Sequence, residues 1–160
     1  MSEIVSDHQA MERAIEQARA GIAAGQAPFG CVIVKNGVII AAAHNTVWQD
    51  NDPSAHAEVN AVRQACRHLG TIHLTDAVMY CTCELCPMCY SLAHWTRIGK
   101  IVFGARIGDA RAAGFNELAI SALQMKTIGQ DKIEIVPDFL ADRCRQIFEL
   151  WRNQGQSKPY

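Results

Sequence analysis

The motif His56-Ala57-Glu58 is followed downstream by the motif Cys86-Pro87-Met88-Cys89. The imidazole of the first motif and the two thiolates of the second provide three ligands for a tetrahedral zinc ion. Three protein ligands leave a fourth position open for water, which is typical of a catalytic zinc site rather than a closed structural one. The glutamate lies two residues past the histidine and could move protons to and from that water without binding the metal. The two motifs therefore predict a catalytic zinc centre.

Both motifs also have the pattern of helix starts. Pro87 directly follows Cys86, and proline is favoured at the first helical position, so Cys86 is predicted to be the N-cap of a helix that runs to about Trp95. Ser54 is predicted to cap a helix that runs to about Leu69. First-turn N–H groups and the helix dipole lower thiol pKa values, which favours the thiolates that zinc requires. We therefore expect two helix N-termini to converge on one metal, at the edge where strands end.

The rest of the chain is predicted to alternate strands with helices. Asp7 is the predicted N-cap of a first amphipathic helix that ends near Gly25, and Asn36-Gly37 is a strong hairpin signal. Residues 44–53 are polar and rich in turn formers, so they are predicted to form a loop. Five strands interleaved with helices predict one sheet with helices on both faces. The predicted strands are Phe29–Lys35, Val38–Ala43, Ala77–Cys81, Lys100–Gly104 and Lys132–Val136, and the predicted last helix is Phe139–Arg152.

Length and composition indicate one domain over residues 1–160, long enough to bury about two thirds of its unfolded surface. The net charge of -1 gives no bulk attraction to nucleic acid or to an anionic membrane. No apolar run approaches the roughly 20 residues of a membrane helix. Seven cysteines without a secretory signal indicate reduced thiols, and Cys31, Cys66 and Cys144 are predicted to be packing residues. We expect a cytosolic protein.

The cysteine cluster has two other interpretations. The spacing Cys83-x2-Cys86-x2-Cys89 is also that of the start of an iron–sulfur ligand run, but such a run needs a fourth cysteine at the position held by Ala93. A closed zinc site of four cysteines, with Cys81 as the fourth, is possible but leaves His56-Ala57-Glu58 without a role. The catalytic zinc centre is the interpretation that uses both motifs.

The two motifs resemble those of the cytidine-deaminase-like superfamily. Its signature is H-x-E…P-C-x-x-C, which the chain matches except that Leu85 stands where the signature has proline. Within the superfamily the chain is similar to bacterial guanine deaminases, because Ala113-Gly114-Phe115 has an acid just beyond it, His94-Trp95 is present, and the C-terminal residue is Tyr160. The zinc motif alone identifies only the superfamily, since tRNA adenosine deaminases share nearly all of it.

The resemblance implies a fold, a cofactor and a reaction. The fold would be α/β, a three-layer α/β/α sandwich with a five-stranded mixed sheet, and the cofactor would be zinc. The reaction would be hydrolysis of the 2-amino group of guanine, a small-molecule purine base, to give xanthine and ammonia. Guanosine, cytosine or an amino-triazine stay open as substrates, as does a metal-binding module without activity. Editing of tRNA adenosine also stays open, although the basic residues Arg143, Arg145, Arg152 and Lys158 are too few and too mixed with acids to favour nucleic-acid binding.

The resemblance also implies roles for individual residues around the metal. Asn45 would hold the purine edge by its amide, Phe29 would stack on the ring, Ala57 would contact the base, and Trp95 would wall the pocket. Glu117 lies where related enzymes carry an aspartate that assists proton transfer near the amine, and its side chain is one methylene longer. From the residues alone, Asn45 could cap a loop, and the others could be packing or surface residues.

The C-terminal region, about residues 139–160, indicates a homodimer. The polar tail Asn153–Pro159 could not bury itself, whereas the helix before it must dock on an apolar surface. We expect two subunits to exchange this helix and tail, a low-cost route to a dimer, so that Tyr160 closes the site of the other subunit. Packing of the region on its own chain is the alternative. The helix carries large apolar residues at Phe139, Leu140, Ile147, Phe148, Leu150 and Trp151.

Overall fold

The computed structural model describes residues 4–160, and a mixed sheet of five strands lies at its centre. The strands are β1 (Gly30–Lys35), β2 (Val38–His44), β3 (Ala77–Cys83), β4 (Lys100–Ala105) and β5 (Glu134–Val136). Their order across the sheet is β2-β1-β3-β4-β5. β1 is antiparallel to both β2 and β3, whereas β3, β4 and β5 are parallel to one another. The predicted five-stranded mixed sheet is confirmed.

Helices cover both faces of this sheet, as the three-layer prediction requires. In chain order they are α1 (Asp7–Ala23), α2 (Val47–Asp50), α3 (Ala57–Leu69), α4 (Pro87–Trp95), α5 (Ile107–Ala112), α6 (Ala122–Gly129) and α7 (Ala141–Asn153). α1 and α7 contact each other and pack on β1 to β4, while α3 packs on β1 and β2 from the other side and contacts α4. None of these helices is long and apolar enough to cross a membrane.

Two glycines let α1 and α7 lie directly against the sheet. A Cβ at Gly30 would collide with the backbone carbonyl oxygen of Ala14 in α1, and a Cβ at Gly104 would collide with the Cys144 side chain in α7. The same layer buries Met11 of α1 completely. These contacts fix α1 and α7 to the sheet. The loops at the carboxyl ends of β3 and β4 remain available to form a site.

Several local signals in the sequence form the structures they predict. Asn36 and Gly37 both have positive φ angles, of 52° and 75°, which is the conformation of a two-residue hairpin loop. Gly70 ends α3 in the left-handed conformation, and Cys86 is the N-cap of α4 with Pro87 at the first turn.

The N-cap of α1 is Ser6, so the prediction of Asp7 is wrong. The Ser6 hydroxyl accepts the N–H of Gln9, and the Gln9 side chain accepts the N–H of Ser6. This reciprocal pair satisfies two helix-end donors at once, which a single aspartate cap does not do. The carboxylate of Asp7 instead accepts a hydrogen bond from the hydroxyl of Tyr80.

The N-cap of α3 is His56, so the prediction of Ser54 is also wrong. Ser54 donates hydrogen bonds from its N–H and its hydroxyl to Asp52, which holds it in a turn before the helix. The His56 side chain makes no capping hydrogen bond because its ring faces the cysteines of α4.

Three short helices were not predicted, and α7 begins later than expected. α2 lies inside the predicted loop 44–53, and α5 and α6 lie between β4 and β5. α6 exposes Leu123 and Ile128, which obscures its amphipathic pattern. Leu140 has a φ of 50°, so α7 begins at Ala141 and not at Phe139.

Candidate zinc site and active-site cavity

Two helix N-termini bring three potential ligands together, as the sequence predicted. His56 is the N-cap of α3, Cys86 is the N-cap of α4, and Cys89 lies in the first turn of α4. The ligand atoms of the three residues all lie within 4.8 Å of one another. The Nδ1 atom of His56 is 3.7 Å from Sγ of Cys86 and 3.5 Å from Sγ of Cys89.

These distances fit a tetrahedral zinc ion. With Zn–S bonds of about 2.3 Å and a Zn–N bond of about 2.0 Å, the nitrogen–sulfur edge of the tetrahedron is about 3.5 Å. His56 presents Nδ1 rather than Nε2 to the sulfurs, so Nδ1 would be the nitrogen that binds the metal. The residues therefore fit zinc in both donor type and spacing.

The thiols of α4 provide the negative charge that a divalent metal needs. A hydrogen bond from Cys89 lowers the pKa of Cys86 to about 4, with further help from His56 and against the effect of burial. Cys86 therefore carries a thiolate at neutral pH even before a metal binds. Zinc binding would then release the remaining proton from Cys89.

Glu58 lies beside the ligands but has the burial of a core residue. Its side chain is 6% exposed, and its Oε2 accepts a hydrogen bond from Cys89 Sγ at 3.4 Å. Burial raises the pKa of this carboxyl, which the nearby His56 opposes. A buried carboxyl with a raised pKa can take up and return a proton, which is the role predicted for Glu58.

A small inner cavity lies against the ligands, and its volume is about 10 Å³. This is at the lower end of the free space, roughly 10–15 Å³, that a cavity needs to hold one water molecule. Polar groups and two of the three ligands, His56 and Cys86, line the cavity, so it is suited to hold a single reacting water. Its walls are Phe29, Asn45, His56, Glu58, Cys83, Glu84, Cys86, Glu117 and Tyr160.

A larger outer cavity of about 270 Å³ opens from the same place. It shares His56, Cys86, Glu117 and Tyr160 with the inner cavity, and its other walls are mostly apolar. An apolar cleft with a few convergent polar groups is typical of a small-molecule site. The remaining lining residues are Pro53, Pro87, Met88, Phe115, Asn116 and Leu118.

Glu117 lines both cavities, so the structure brings the second predicted carboxyl to the site. Burial, together with the negative charge of Cys86, raises the pKa of Glu117 to about 7. Near neutral pH this side chain is therefore present in both its protonated and its ionised form. A group in that condition can donate or accept a proton at the mouth of the inner cavity.

Asn45 is fully buried and uses both ends of its amide. Its Oδ1 accepts the N–H of Val47 at 3.0 Å, and its Nδ2 donates to the hydroxyl of Tyr160 at 2.5 Å. The first bond fixes the side chain, and the second directs the amide donor at the cavity. Both expectations for Asn45, a loop-bracing residue and a group aimed at the substrate, are therefore compatible with the same orientation.

The C-terminal tail closes the cavity of its own chain in this structure. The Tyr160 carbonyl oxygen accepts the N–H of Asn116 at 2.9 Å, and the Tyr160 ring lies 5.3 Å from that of Phe115. Trp48 donates from its indole nitrogen to the carbonyl oxygen of Lys158 at 2.9 Å, and the Lys158 ammonium lies 3.7 Å from the centre of the Trp48 ring. Tyr160 is thus at the site, as predicted, although here it acts on its own subunit.

Phe29 and Ala57, both predicted to contact the base, lie differently with respect to the cavities. Phe29 lines the inner cavity and packs edge-on against Phe115, with ring centres 4.9 Å apart. Ala57 is completely buried between His56 and Glu58, and its side chain lines neither cavity. A contact between its backbone and a base stays a prediction.

Trp95 does not wall the pocket of this chain. The ligand cysteines lie in the first turn of α4, whereas Trp95 is the last residue of that helix, two turns away. It is 74% exposed and packs beside His94 and Asp131 in a separate surface depression. The predicted helix direction already placed Trp95 at the end away from the ligands, and only the resemblance to guanine deaminases suggested that it lines the pocket.

Two features of the site were not assigned from the sequence. Glu84 lies in the wall of the inner cavity, and Phe115 and Asn116 connect the outer cavity to the tail. A carboxylate between two apolar residues at a strand end, Cys83-Glu84-Leu85, is a signal that could have identified Glu84, because isolated buried charges are rare. The contacts of Asn116 involve Tyr160, 44 positions away, and leave no local pattern.

Comparison with known proteins agrees with the site. The model of the family described as the cytidine and deoxycytidylate deaminase zinc-binding region matches residues 4–105, which include all three ligands and Glu58. The chain therefore belongs to this family of zinc-dependent deaminases, and the predicted fold and cofactor are those of the family.

Individual relatives give a finer comparison. A guanine deaminase from Bacillus subtilis is 40% identical over 151 residues, which are 94% of this chain and 96% of the relative. A tRNA-specific adenosine deaminase from the same organism is 41% identical over 141 residues, 88% of this chain and 85% of the relative. A solved guanine deaminase from Nitrosomonas europaea superposes with a TM-score of 0.87 at 25% identity, covering 95% of this chain and 87% of its own.

Proposed function

We propose that this chain hydrolyses guanine to xanthine and ammonia. The observation that carries the proposal is the pairing of two carboxyls, Glu58 and Glu117, on one cavity beside three zinc ligands, with the amide of Asn45 on the same wall. Deamination needs a base for water and a donor for the departing amine, and two carboxyls with raised pKa values meet that need. Similarity to guanine deaminases over nearly the whole chain supports the choice of substrate.

Zinc held by His56, Cys86 and Cys89 would act as a Lewis acid that makes water nucleophilic at neutral pH. Glu58 would accept the proton of the attacking water, since its carboxylate lines the one-water cavity. It would then deliver that proton to a ring nitrogen of the base and a second one to the departing amine. Its burial serves the first of these steps, because raising the pKa of the carboxyl makes its carboxylate a stronger base toward water.

Asn45, Phe29 and Tyr160 would hold the base. The Asn45 amide donor, now bound to the Tyr160 hydroxyl, would bind the purine edge once the tyrosine moves aside. Phe29 would contact the ring face, and Tyr160 with the tail would exclude water above it. Ala57 would contribute through its backbone, between the ligand His56 and the base Glu58.

Glu117 would assist at the amine that leaves. It lies in both cavities, so it can reach a group that spans them. The segment that carries it has no regular secondary structure, and Glu117 nevertheless lines both cavities with its longer side chain.

Editing of tRNA adenosine is the alternative, and the similarity to a tRNA-specific deaminase favours it. Such an enzyme must accept a base that is still joined to a polynucleotide. In this chain the tail residues Lys158 and Tyr160 lie over the cavity mouth, and the net charge is -1. Both features support a free base over a polynucleotide.

The test is ammonia release from a panel of free bases, nucleosides and a tRNA substrate by the zinc-loaded protein. We expect guanine to give the highest kcat/KM, guanosine and cytosine to react poorly, and tRNA not to react. If the tRNA is the preferred substrate, the activity is editing of tRNA adenosine and not deamination of guanine. If no substrate releases ammonia, the chain is a metal-binding module without activity.

We also infer a homodimer, supported by an apolar surface on α4, α6 and the segment between α5 and α6. Of the ten large hydrophobic residues that are exposed within residues 4–160, six lie between positions 88 and 128, which is about a quarter of the chain. Exposed apolar side chains that form a patch are typical of a protein interface. The surface, defined as Met88, Trp95, Leu118, Ile120, Leu123 and Ile128, adjoins the outer cavity through Met88 and Leu118.

Exchange of the C-terminal region between the two subunits is part of the same inference. The linker between β5 and α7 holds Asp138 at a φ of 60° and Leu140 at a φ of 50°, and the left-handed conformation is costly for the leucine, whereas aspartate tolerates it. An opened linker would relieve this strain while the helix and tail made the same contacts on the other subunit.

A location in the cytosol is part of the proposal as well, because its reducing conditions suit the seven free cysteines.

Mixed dimers test the exchange. One chain lacks Ser157–Tyr160 but keeps its zinc site, and the other carries Glu58→Gln but keeps its tail. Each homodimer should have little activity, and mixing should restore part of it if the tail of one subunit closes the site of the other. Confirmed subunit exchange without any recovery would mean that each tail closes its own site.

A further inference from the structure

Glu84 is a buried carboxylate outside the ligand set, and both of its oxygens bind backbone. It follows β3 directly and is 7% exposed. Its Oε2 accepts the N–H of Ile107 at 3.0 Å, and its Oε1 accepts the N–H of Ala122 at 2.9 Å. A buried carboxylate needs such partners, but these two donors lie 15 residues apart in the chain.

Each donor is the first residue of a helix. Ile107 begins α5 and Ala122 begins α6, and the first N–H groups of a helix have no partner within it. Ser121 already caps α6 through the N–H of Gln124, so the Glu84 bond is additional to the ordinary cap. One carboxylate therefore binds both ends of the stretch from 107 to 122.

The part of this stretch between the helices, residues 113–121, we call the connecting segment. It carries Phe115, Asn116, Glu117 and Leu118, four walls of the outer cavity. Asn116 also donates its N–H to Tyr160, so the connecting segment anchors the tail as well. The segment itself has no helix or strand to fix its position.

Glu84 joins this segment to the metal ligands. It lies two residues before Cys86, and its own N–H is bound to the carbonyl oxygen of Ala105 at the end of β4. Glu84 therefore links the ligand Cys86, two residues away, to the segment that carries Glu117 through its two carboxylate hydrogen bonds. Without the two carboxylate bonds, the connecting segment would be held by its flanking helices, by the tail and by the packing of Phe115 against Phe29 and Trp151.

We propose that Glu84 is a positioning residue for the deamination, one that holds the connecting segment, and with it Glu117 and the tail anchor, in register with the zinc ligands. The proposal rests on the proposed function in that Glu117 takes part in the reaction. Glu84 touches no substrate in this role and acts only through the segment.

Two variants separate position from charge. Glu84→Gln keeps the shape but turns an amide NH₂ toward one of the two N–H donors, so one bond is lost. Ala122→Pro keeps the Glu84 charge and removes one donor, and proline is favoured at a first helical position. Ser121 already has extended backbone, with φ of -74° and ψ of 158°, which suits the residue before a proline.

Ser121→Ala is the control, because it removes the ordinary cap of α6 and leaves both Glu84 bonds in place.

Hydrogen exchange of the zinc-loaded protein is the first measurement. Amides of residues 113–119 should exchange at least about 5-fold faster in Glu84→Gln and Ala122→Pro, with zinc content unchanged, while Ser121→Ala affects α6 alone. Unchanged exchange of the connecting segment in both variants would overturn the proposal. This measurement needs no substrate, so it stands even if guanine is not deaminated.

Turnover is the second measurement, on whichever base the panel identifies. Both variants should lower kcat at least about 10-fold, with a smaller change in KM, because misplacing a catalytic group by a fraction of an ångström has this effect. In a Glu117→Gln background the same changes should cost clearly less, because one of the two positioned groups is absent and only the anchor of the tail is still affected. An equal loss in both backgrounds, or the same loss in Ser121→Ala, would show that Glu84 only stabilises the fold.

Discussion

The two halves of the site are built in opposite ways. The metal half, His56, Glu58, Cys86 and Cys89, lies on the first turns of α3 and α4, and each residue is fixed by a helix that packs into the core. The part that we call the substrate half, Asn45, Phe115, Glu117 and Tyr160, comes from loops and the tail, and long-range hydrogen bonds join Asn45 and Asn116 to Tyr160. The residues proposed to carry the chemistry thus lie at helix starts, whereas those proposed to surround the substrate lie outside the helices.

The first way to test this contrast is to remove a ligand. Cys86→Ala should lose zinc and all measurable turnover, and should melt at a lower temperature, since metal binding is coupled to folding. Metal analysis and thermal melts measure both effects. Cys66→Ala is the matched control, because that half-buried cysteine of α3 is not a ligand. Iron with acid-labile sulfide in the wild-type protein would contradict the zinc assignment.

The next change separates chemistry from metal binding within the metal half. Glu58→Gln keeps the shape of the side chain but removes the base, so turnover should fall by about 10²–10⁴-fold while zinc content stays near one per chain. Steady-state kinetics and metal analysis on the same sample decide the outcome. Near-normal turnover would assign the proton transfer to another group.

A change in the substrate half should leave the metal untouched. Asn45→Ala removes a donor that would pair with the base, which costs about 1–3 kcal/mol, or roughly 5- to 150-fold in kcat/KM. Asn60→Ala is the control, because Asn60 braces the backbone carbonyl of His44 through its own amide but lines neither cavity. If both variants lose activity in proportion to stability, Asn45 is only a loop brace.

The smallest expected effect concerns pH. The pKa of Glu117 is raised to about 7 by burial, so between roughly 4.5 and 7 the folded metal-free chain binds a proton that the unfolded chain has released. Stability therefore falls as the pH rises through this window, and Glu117→Gln should remove that dependence. Melting temperatures of the metal-free proteins between pH 5 and pH 8 measure the difference. Parallel curves would place the Glu117 pKa in its ordinary range.

The same contrast explains what the sequence could predict. Cys86 and Cys89 lie three residues apart at a helix start marked by Pro87, so local spacing was enough to place them. The five strands and the Asn36-Gly37 hairpin also depend on neighbouring residues alone, and they were predicted correctly.

The remaining features depend on contacts that no local pattern records. Glu84 binds N–H groups 23 and 38 positions away, and Asn45 meets Tyr160 across 115 positions. Trp95 lies away from the cavity of this chain because it is at the far end of a helix whose start and direction were predicted correctly, and its role was implied only by the resemblance. The start of α3 at His56 was missed because a residue turned toward a metal site does not cap its helix in the usual way.

The contact between Trp48 and Lys158 has an optical consequence. An indole ring with an ammonium 3.7 Å from its centre, and with its N–H bound to a backbone carbonyl, has a fluorescence that depends on both neighbours. A movement of the tail away from the cavity would end both interactions and expose more of the ring to water. The emission of Trp48 would therefore report such a movement without any added label.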